Sequence, residues 1–275
     1  EVVPKVRKDA HKMIEEFMLL ANKKVAEFVY QYKKRKEKNT FVYRVHDYPD
    51  ITKIQEFSDF AQRFGYKLHT SDEKISASLN ELMSAVEGKP EQDVLQQLAI
   101  RTMAKAKYTT EAKGHFGLAF PHYTHFTSPI RRFPDVMVHR LLQVYLDDAK
   151  IDERHKYEKL CEHSSEMEKR AADAERASIK YKQVQYMQQF VGDRVFEGIV
   201  AGVTEWGVYV EMVETRCEGM VRLSEMTDDY YEYDAKNFRL IGQRRKRIIA
   251  LGDKMKVRVL KTDMDRRTID LEFVR

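Results

Sequence analysis

The side chains best able to do chemistry crowd into residues 122–142, which read H-Y-T-H-F-T-S-P-I-R-R-F-P-D-V-M-V-H-R-L-L. Hydrogen-bond donors are denser here than anywhere else in the sequence, and two prolines restrict the backbone around them. Ser128-Pro129 has the form of a helix N-cap with proline at the first helical position. Phe133-Pro134-Asp135 has the form of a second start, after which Val138, Leu141, Leu142 and Tyr145 recur at helical spacing. Arg131 and Arg132 therefore fall between two expected helix starts. Free backbone N–H groups, the positive end of a helix dipole and two guanidiniums together make a site for phosphate. The same arginine pair would serve equally as a buried salt-bridge node tying the loop to the helix. His122, His125 and His139 lie nearby, but H-x-x-H without a Cys or a third ligand at finger-like spacing is not a zinc pattern. Loop-fixing hydrogen bonds are the expected use of these side chains.

Helices must hold this stretch in place. Asp9 can cap a helix running to about Lys36, with Ile14, Phe17, Met18, Ala21, Val25 and Phe28 as its apolar stripe. Thr40–Asp47 alternates and reads as a strand. Ile54, Phe57, Phe60, Ala61 and Phe64 predict a helix stopped by Gly65, its aromatic stripe belonging to the core. Residues 76–87 and 91–105 predict two more helices, and His115–Phe120 a short strand leading into the organising stretch. From about Asp152 to Phe190 the sequence is one long, highly charged helical pattern. The chain has 275 residues, 43% hydrophobic and 34% charged, with net charge +5. That is a globular composition, and its mild basicity suits a polyanionic partner. Two basic clusters stand out, Lys33–Lys36 with Lys38, and Arg244–Arg247; such runs are commonly solvated faces. No run of about 18 apolar residues occurs, so no membrane partner is expected. Cys161 and Cys217 fall in segments assigned to different domains and lack metal spacing, which points to a reduced, cytoplasmic protein.

From Val191-Gly192-Asp193 onward the texture changes to alternation with glycine turns. Arg194–Val203, Val208–Val213, Cys217–Leu223, Lys254–Lys261 and Arg267–Phe273 predict five strands over about 85 residues, which fits an OB-fold barrel. The expected fold class is α+β, with a mostly helical domain at 1–189 and a barrel at 190–275. Aromatics on the strand face of such a barrel stack on unpaired bases, and Phe196, Trp206 and Tyr209 are placed to do so. Phe196 and Tyr209 would equally fit a core, because alternation alone does not say which face points inward. The Asp228–Asp234 connection is acidic and is not expected to face a polyanion.

The literal string at 122–142 closely resembles the signature of the ribonuclease II / ribonuclease R family of processive 3′-to-5′ exoribonucleases, on its ribonuclease R side. The segment from Val191 resembles the S-one RNA-binding domain, through Gly-Asp, Trp-Gly-Val-Tyr-Val, Glu-Gly-Met-Val-Arg-Leu-Ser and Asp-Arg-Arg-Thr-Ile-Asp-Leu in that order. The resemblance implies that Arg131 grips the scissile phosphate. It implies that Glu16 faces the RNA 3′ end, with Glu15 one register away as the alternative. Ala174-Glu175-Arg176 matches a family element, which makes Glu175 a second acidic residue there; ignoring the family, Glu175 would be an exposed helical glutamate paired at i,i+4. Arg132, His125, Thr127 and Ser128 are the further RNA-binding candidates of the loop. Arg222 stands where the family often has His, and Arg267 where it commonly has Arg.

The family also carries a metal-binding aspartate cluster, D-x5-D-x-D-D, for Mg²⁺-assisted hydrolysis. Asp47/Asp50, Asp147/Asp148, Asp228/Asp229 and Asp263/Asp265 are the close pairs here, and none has that spacing. The resemblance thus places the Mg²⁺ ligands outside this chain, leaves the chain itself without metal, and reads it as the C-terminal piece of a larger, monomeric protein. The partner expected is single-stranded RNA, or structured RNA with a 3′ overhang. The full enzyme would release nucleoside 5′-monophosphates, while this piece would bind RNA without cleaving it. The rival reading is a non-catalytic RNA-binding or scaffold protein with a degenerate nuclease domain.

Overall fold

A computed structural model describes residues 8–34, 39–71, 74–89, 91–149, 151 and 153–274. Arg35, Lys36 and Lys38 of the first basic cluster lie outside the described residues, as do the opening residues 1–7. The helical part comprises α1 (Asp9–Gln31), α2 (Ile51–Gln62), α3 (Ile75–Ala85), α4 (Gln92–Thr102), α5 (Phe133–Leu146) and α6 (Arg154–Met187), with a small ladder of β1 (Tyr43–Val45) against β2 (Lys107–Thr109). The chain then becomes all β. It divides into two compact units that do not follow chain order. One holds residues up to Ile54, His69–Ala77 and Thr102–Ala171; the other holds Gln55–Leu68, Ser78–Arg101 and Ala172–Arg275.

The first unit is built on α1, β1, β2 and α5. Ala26 and Val29 of α1 pack with Phe41, Tyr43 and Val45, Tyr108, and Met137, Val138, Leu141 and Tyr145 of α5. The Tyr145 hydroxyl donates to the Thr40 carbonyl at 2.7 Å, and the Thr124 hydroxyl to the Val42 carbonyl at 2.7 Å. The α1 stripe differs from expectation. Its buried residues are Asn22, Ala26 and Val29, whereas Ile14 and Phe17 are 53% and 61% exposed. The cause is Asn22, whose amide donates to the Tyr123 hydroxyl at 3.0 Å and accepts from the Phe126 N–H at 2.9 Å. A polar residue with both amide ends satisfied is drawn inward and sets the rotation of the helix. The helix also ends at Gln31, before Lys33, which adopts a left-handed backbone at φ 46°. His115–Phe120 is a helical turn at Phe116–Leu118 flanked by isolated bridges, not a strand.

In the second unit, Phe57, Phe60 and Ala61 of α2 are buried as expected and Phe60 meets Phe238 edge-on at 5.8 Å, whereas Phe64 lies past the end of the helix at Gln62 and is 45% exposed, so it is not part of the core. Five strands close a barrel in the order β10-β5-β4-β3-β9: β3 (Val195–Thr204), β4 (Gly207–Met212), β5 (Glu218–Arg222), β9 (Lys254–Asp263) and β10 (Thr268–Val274). Closure runs through a parallel contact of β10 with β5, and a Cβ on Gly219 would stand 2.8 Å from the Ile269 carbonyl oxygen. Only glycine lets the two backbones approach that closely. The β5–β9 connection is not a plain loop but folds as its own three-stranded sheet of β6 (Tyr231–Asp234), β7 (Arg239–Gly242) and β8 (Ile248–Ala250). Among the described residues no helix is long and apolar enough to cross a membrane.

The barrel core contains Phe196, 2% exposed, packed edge-on against Phe190 at 5.6 Å with Arg194 over its ring. Phe196 is thus removed from the candidate stacking face: in β3 the odd positions 195 and 197 point outward and 196 inward. Trp206 and Tyr209 remain outside, 71% and 37% exposed. Accordingly, Phe196→Ala should cost about 3–5 kcal/mol of stability and Trp206→Ala should stay within about 0.5 kcal/mol, as read by urea denaturation; comparable losses would contradict this inside–outside assignment.

Candidate functional site

The loop from His122 to Arg132 is shaped by one buried carboxylate. Asp135 lies in the first turn of α5 and is 0% exposed. Its Oδ1 accepts from the Ser128 N–H at 2.7 Å and from Arg132 Nη2 at 2.9 Å. The expected helix start at Ser128 is instead a single turn, with the N–H groups of Arg131 and Arg132 donating to the Ser128 carbonyl at 3.3 and 3.0 Å. The second expected start is real: α5 begins at Phe133 with Arg132 at the N-cap and proline in its first turn. The two readings of the arginine pair therefore divide between them. Arg132 is the salt-bridge node, and Arg131 is exposed with no carboxylate partner among the described residues.

Arg131 and Arg132 line a cleft of about 290 Å³ with Tyr123, Thr127, Ser128 and one face of α1 formed by Glu15, Met18, Leu19 and Asn22. Those four α1 positions are spaced i, i+3, i+4, i+7, so they share a helical face. Glu15 is the acidic residue of this cleft; Glu16 is exposed on the neighbouring face and does not line it. Glu175 is exposed on α6 and belongs to the other compact unit. The Thr127 hydroxyl and Arg132 Nε are buried without a hydrogen-bond partner among the described residues. Buried donors in that condition favour an incoming acceptor.

His125 stands behind the cleft wall. The Tyr108 hydroxyl lies 2.8 Å from its Nδ1. Burial, then the nearby Arg132 and Arg44, push the imidazole down to about 3, and burial pushes the Tyr108 phenol up to about 12. Both groups are neutral at physiological pH, with Tyr108 the natural donor. Arg44 lies over the Tyr108 ring at 4.6 Å and pairs with Glu168. The other two histidines are held apart from it: His122 stacks on Tyr30 at 3.8 Å, and His139 stacks on Phe126 at 4.1 Å and reaches the Phe126 carbonyl at 2.8 Å. Among the described residues no group of three His, Cys, Asp or Glu side chains could hold a metal ion.

On the barrel, Tyr209 of β4 pairs with Met220 of β5, and Gly207 with Arg222. Tyr209 and Arg222 consequently lie on the same outer face, two positions apart in register. Arg222 is half exposed and is held by Asp270 at 3.2 Å. Trp206 sits in the turn that leads into β4. Arg267 is exposed in the β9–β10 turn, with a left-handed backbone at φ 55°.

A cleft with an unpaired arginine beside a helix start, in a chain that also carries an OB-type barrel with aromatic and arginine side chains outside, fits a nucleic-acid-handling protein. Residues 1–148 match the RNB domain and residues 189–273 the S1 RNA binding domain. The chain belongs to the RNB family. It is 37% identical to the Ribonuclease R of Aquifex aeolicus over 99% of this chain and 38% of that protein. Its fold superposes on Mycoplasma genitalium RNase R in complex with ribose-methylated single-stranded RNA with a TM-score of 0.85, at 26% identity, covering 98% of this chain and 42% of that one. The fold of yeast Ssd1, a pseudonuclease, is also similar, with a TM-score of 0.68 at 24% identity over 86% of this chain and 30% of that one. The chain spans between about a third and two fifths of the length of the ribonuclease R proteins it matches.

Two outcomes follow from this geometry. Asp135→Ala strips a buried arginine and a backbone N–H of their acceptor and should cost about 3–5 kcal/mol in urea denaturation, whereas Arg131→Ala should stay within about 0.5 kcal/mol. The histidines set an acid limit. His125 at about 3 and His115, which burial pushes down to about 4, both lie below the ordinary value in the folded chain. The unfolded chain therefore takes up their protons first, so stability is full above about pH 6.5 and falls as the pH drops toward 4 and then 3. The loss should approach about 1.4 kcal/mol per pH unit for each ring, and His125→Gln should flatten it by one ring's share.

Proposed function

We propose that this chain is the phosphate-gripping and strand-holding part of a hydrolytic 3′-to-5′ exoribonuclease that releases nucleoside 5′-monophosphates from single-stranded RNA or from structured RNA with a 3′ overhang. The observation that carries this is the division of the two arginines. Asp135 pairs with Arg132 and so fixes the loop, and Arg131 is left exposed with no ion pair among the described residues. A planar fork of N–H donors matches a phosphodiester in two parallel hydrogen bonds. Thr127 supplies a further donor from the same wall.

Glu15 stands across the cleft. A carboxylate there accepts from a ribose hydroxyl, which is the feature distinguishing RNA from DNA. In this reading Glu15 takes the place expected for Glu16. Asn22 acts on the substrate only through position, by turning α1 so that Glu15 faces the arginines. His125 and Tyr108, neutral and hydrogen-bonded to one another, stiffen the wall without adding charge. On the barrel, Trp206 and Tyr209 offer stacking surfaces and Arg222 a phosphate contact for the incoming strand.

A magnesium ion would activate water and stabilise the leaving oxygen. The cleft does not fit it. One glutamate beside two guanidiniums is a donor set for an anion, and Mg²⁺ asks for oxygen ligands, carboxylates above all. The hydrolytic step is therefore assigned to residues outside this chain. The proposed oligomeric state is a monomer, and the proposed location the cytoplasm.

The 275-residue chain should bind labelled single-stranded RNA and release no mononucleotide from it in the presence of Mg²⁺. In the full-length protein, Arg131→Lys should lower kcat by about a hundredfold while affinity stays within about threefold, since lysine keeps the charge and loses the fork. Unchanged turnover would make Arg131 structural. A full-length protein that binds RNA yet has no turnover at all would favour the non-catalytic reading, the condition that yeast Ssd1 bears in name.

A further inference from the structure

The turn between β7 and β8 carries four consecutive cations, Arg244, Arg245, Lys246 and Arg247, all exposed. Its backbone is held by another buried carboxylate. Asp229, 9% exposed, accepts from the N–H groups of Arg244 at 2.9 Å, Arg245 at 2.7 Å and Tyr230 at 2.7 Å. These bonds hold the Asp229 carboxyl below the usual carboxylate range against the opposing effect of burial. A Cβ on Gly242 would stand 2.5 Å from Asp229 Oδ2, so the turn closes tightly over the carboxylate.

The four side chains have different surroundings. Arg247 faces Asp228 at 3.6 Å and lies over the Phe273 ring at 4.5 Å. Arg244 lies over the ring of Tyr230 at 5.0 Å, and Tyr230 is 66% exposed. Arg245 and Lys246 have no ion pair or side-chain hydrogen bond among the described residues. Like charges on adjacent residues repel, weakly where solvent screens them, and a backbone ordered in advance by Asp229 keeps their side chains rooted close together. A polyanion relieves that repulsion, and a preordered turn loses little entropy on binding it. The exposed ring under Arg244 adds a surface for an unpaired base, which an acidic peptide would leave unused.

We propose that the β7–β8 turn with Tyr230 is a second single-stranded RNA contact, on a different sheet from Trp206, Tyr209 and Arg222. Arg245 and Lys246 contact backbone phosphates, and the Tyr230–Arg244 platform stacks a base. The proposal rests on the reading that this chain binds RNA, and it adds a site to that reading.

The test uses the whole 275-residue chain and a short fluorescein-labelled oligoadenylate, with binding followed by anisotropy across a salt series. Arg245→Ser/Lys246→Ser should raise Kd about five- to tenfold at low salt and flatten the slope of log K against log salt by about 1.4, two phosphate contacts on a single strand. Tyr230→Ala should raise Kd at least about fivefold with the slope unchanged. Neither variant removes a side chain with a structural partner besides Arg244, and matching melting curves would confirm intact folding. If wild type binds and Trp206→Ala weakens it while both turn variants match wild type, this proposal is overturned and the RNA-binding reading stands. If wild type itself does not bind, the RNA-binding reading fails first. Loss of affinity toward polyglutamate but not toward oligoadenylate would also overturn the proposal and make the turn a protein contact.

Discussion

A single buried carboxylate decides what the central motif can do. Asp135 has no solvent exposure, and an isolated charge in that position would cost several kcal/mol. It is tolerable because Arg132 and the Ser128 N–H both reach it. Those two partners, which both reach Oδ1, lie on opposite sides of Pro129–Arg131, so binding the two of them bends the intervening residues into one turn. Arg131 is the residue the turn leaves outward. Neutralising one arginine is thus the condition for the other to meet an anion.

The opposing wall follows the same logic with a neutral group. Asn22 satisfies both ends of its amide against Tyr123 and Phe126, residues of the same loop. The helix is thereby locked to the loop at a definite rotation, and Glu15, seven residues earlier, comes to face the cleft. Backbone bonds join the loop to the small ladder as well, since the Arg44 N–H donates to the Tyr123 carbonyl at 2.9 Å. The shape of the cleft thus depends on the buried partners of Asn22 and Asp135 as well as on the residues that line it.

The barrel is organised by packing. Closing β10 onto β5 requires glycine at 219, and the interior is filled by Phe196, Val210, Met212, Val257 and Leu271. With those residues inside, their neighbours in sequence are forced outside. Tyr209 is exposed because Val208 and Val210 are buried, so the outward aromatic is a consequence of the core.

The amino-acid sequence by itself determined what depends on local pattern: the resemblance carried by residues 122–142, the five barrel strands, the start of α5 at Phe133, and the core character of Phe57 and Phe60 in α2. Strand alternation and helical spacing are properties of the backbone and survive without knowledge of the partner surface. Period does not fix phase, however. Which of Phe196 and Tyr209 points inward, whether Glu15 or Glu16 faces the cleft, and which side of α1 is buried all turn on a shift of one residue, and the deciding contact comes from a distant segment. The three-stranded sheet of β6–β8 was missed because its strands are short, and each is stabilised by its neighbours in the sheet. The unequal fates of Arg131 and Arg132 were likewise beyond local reading. Adjacent identical residues differ only in what surrounds them, and Asp135 becomes a buried partner for one of them only after α5 has packed.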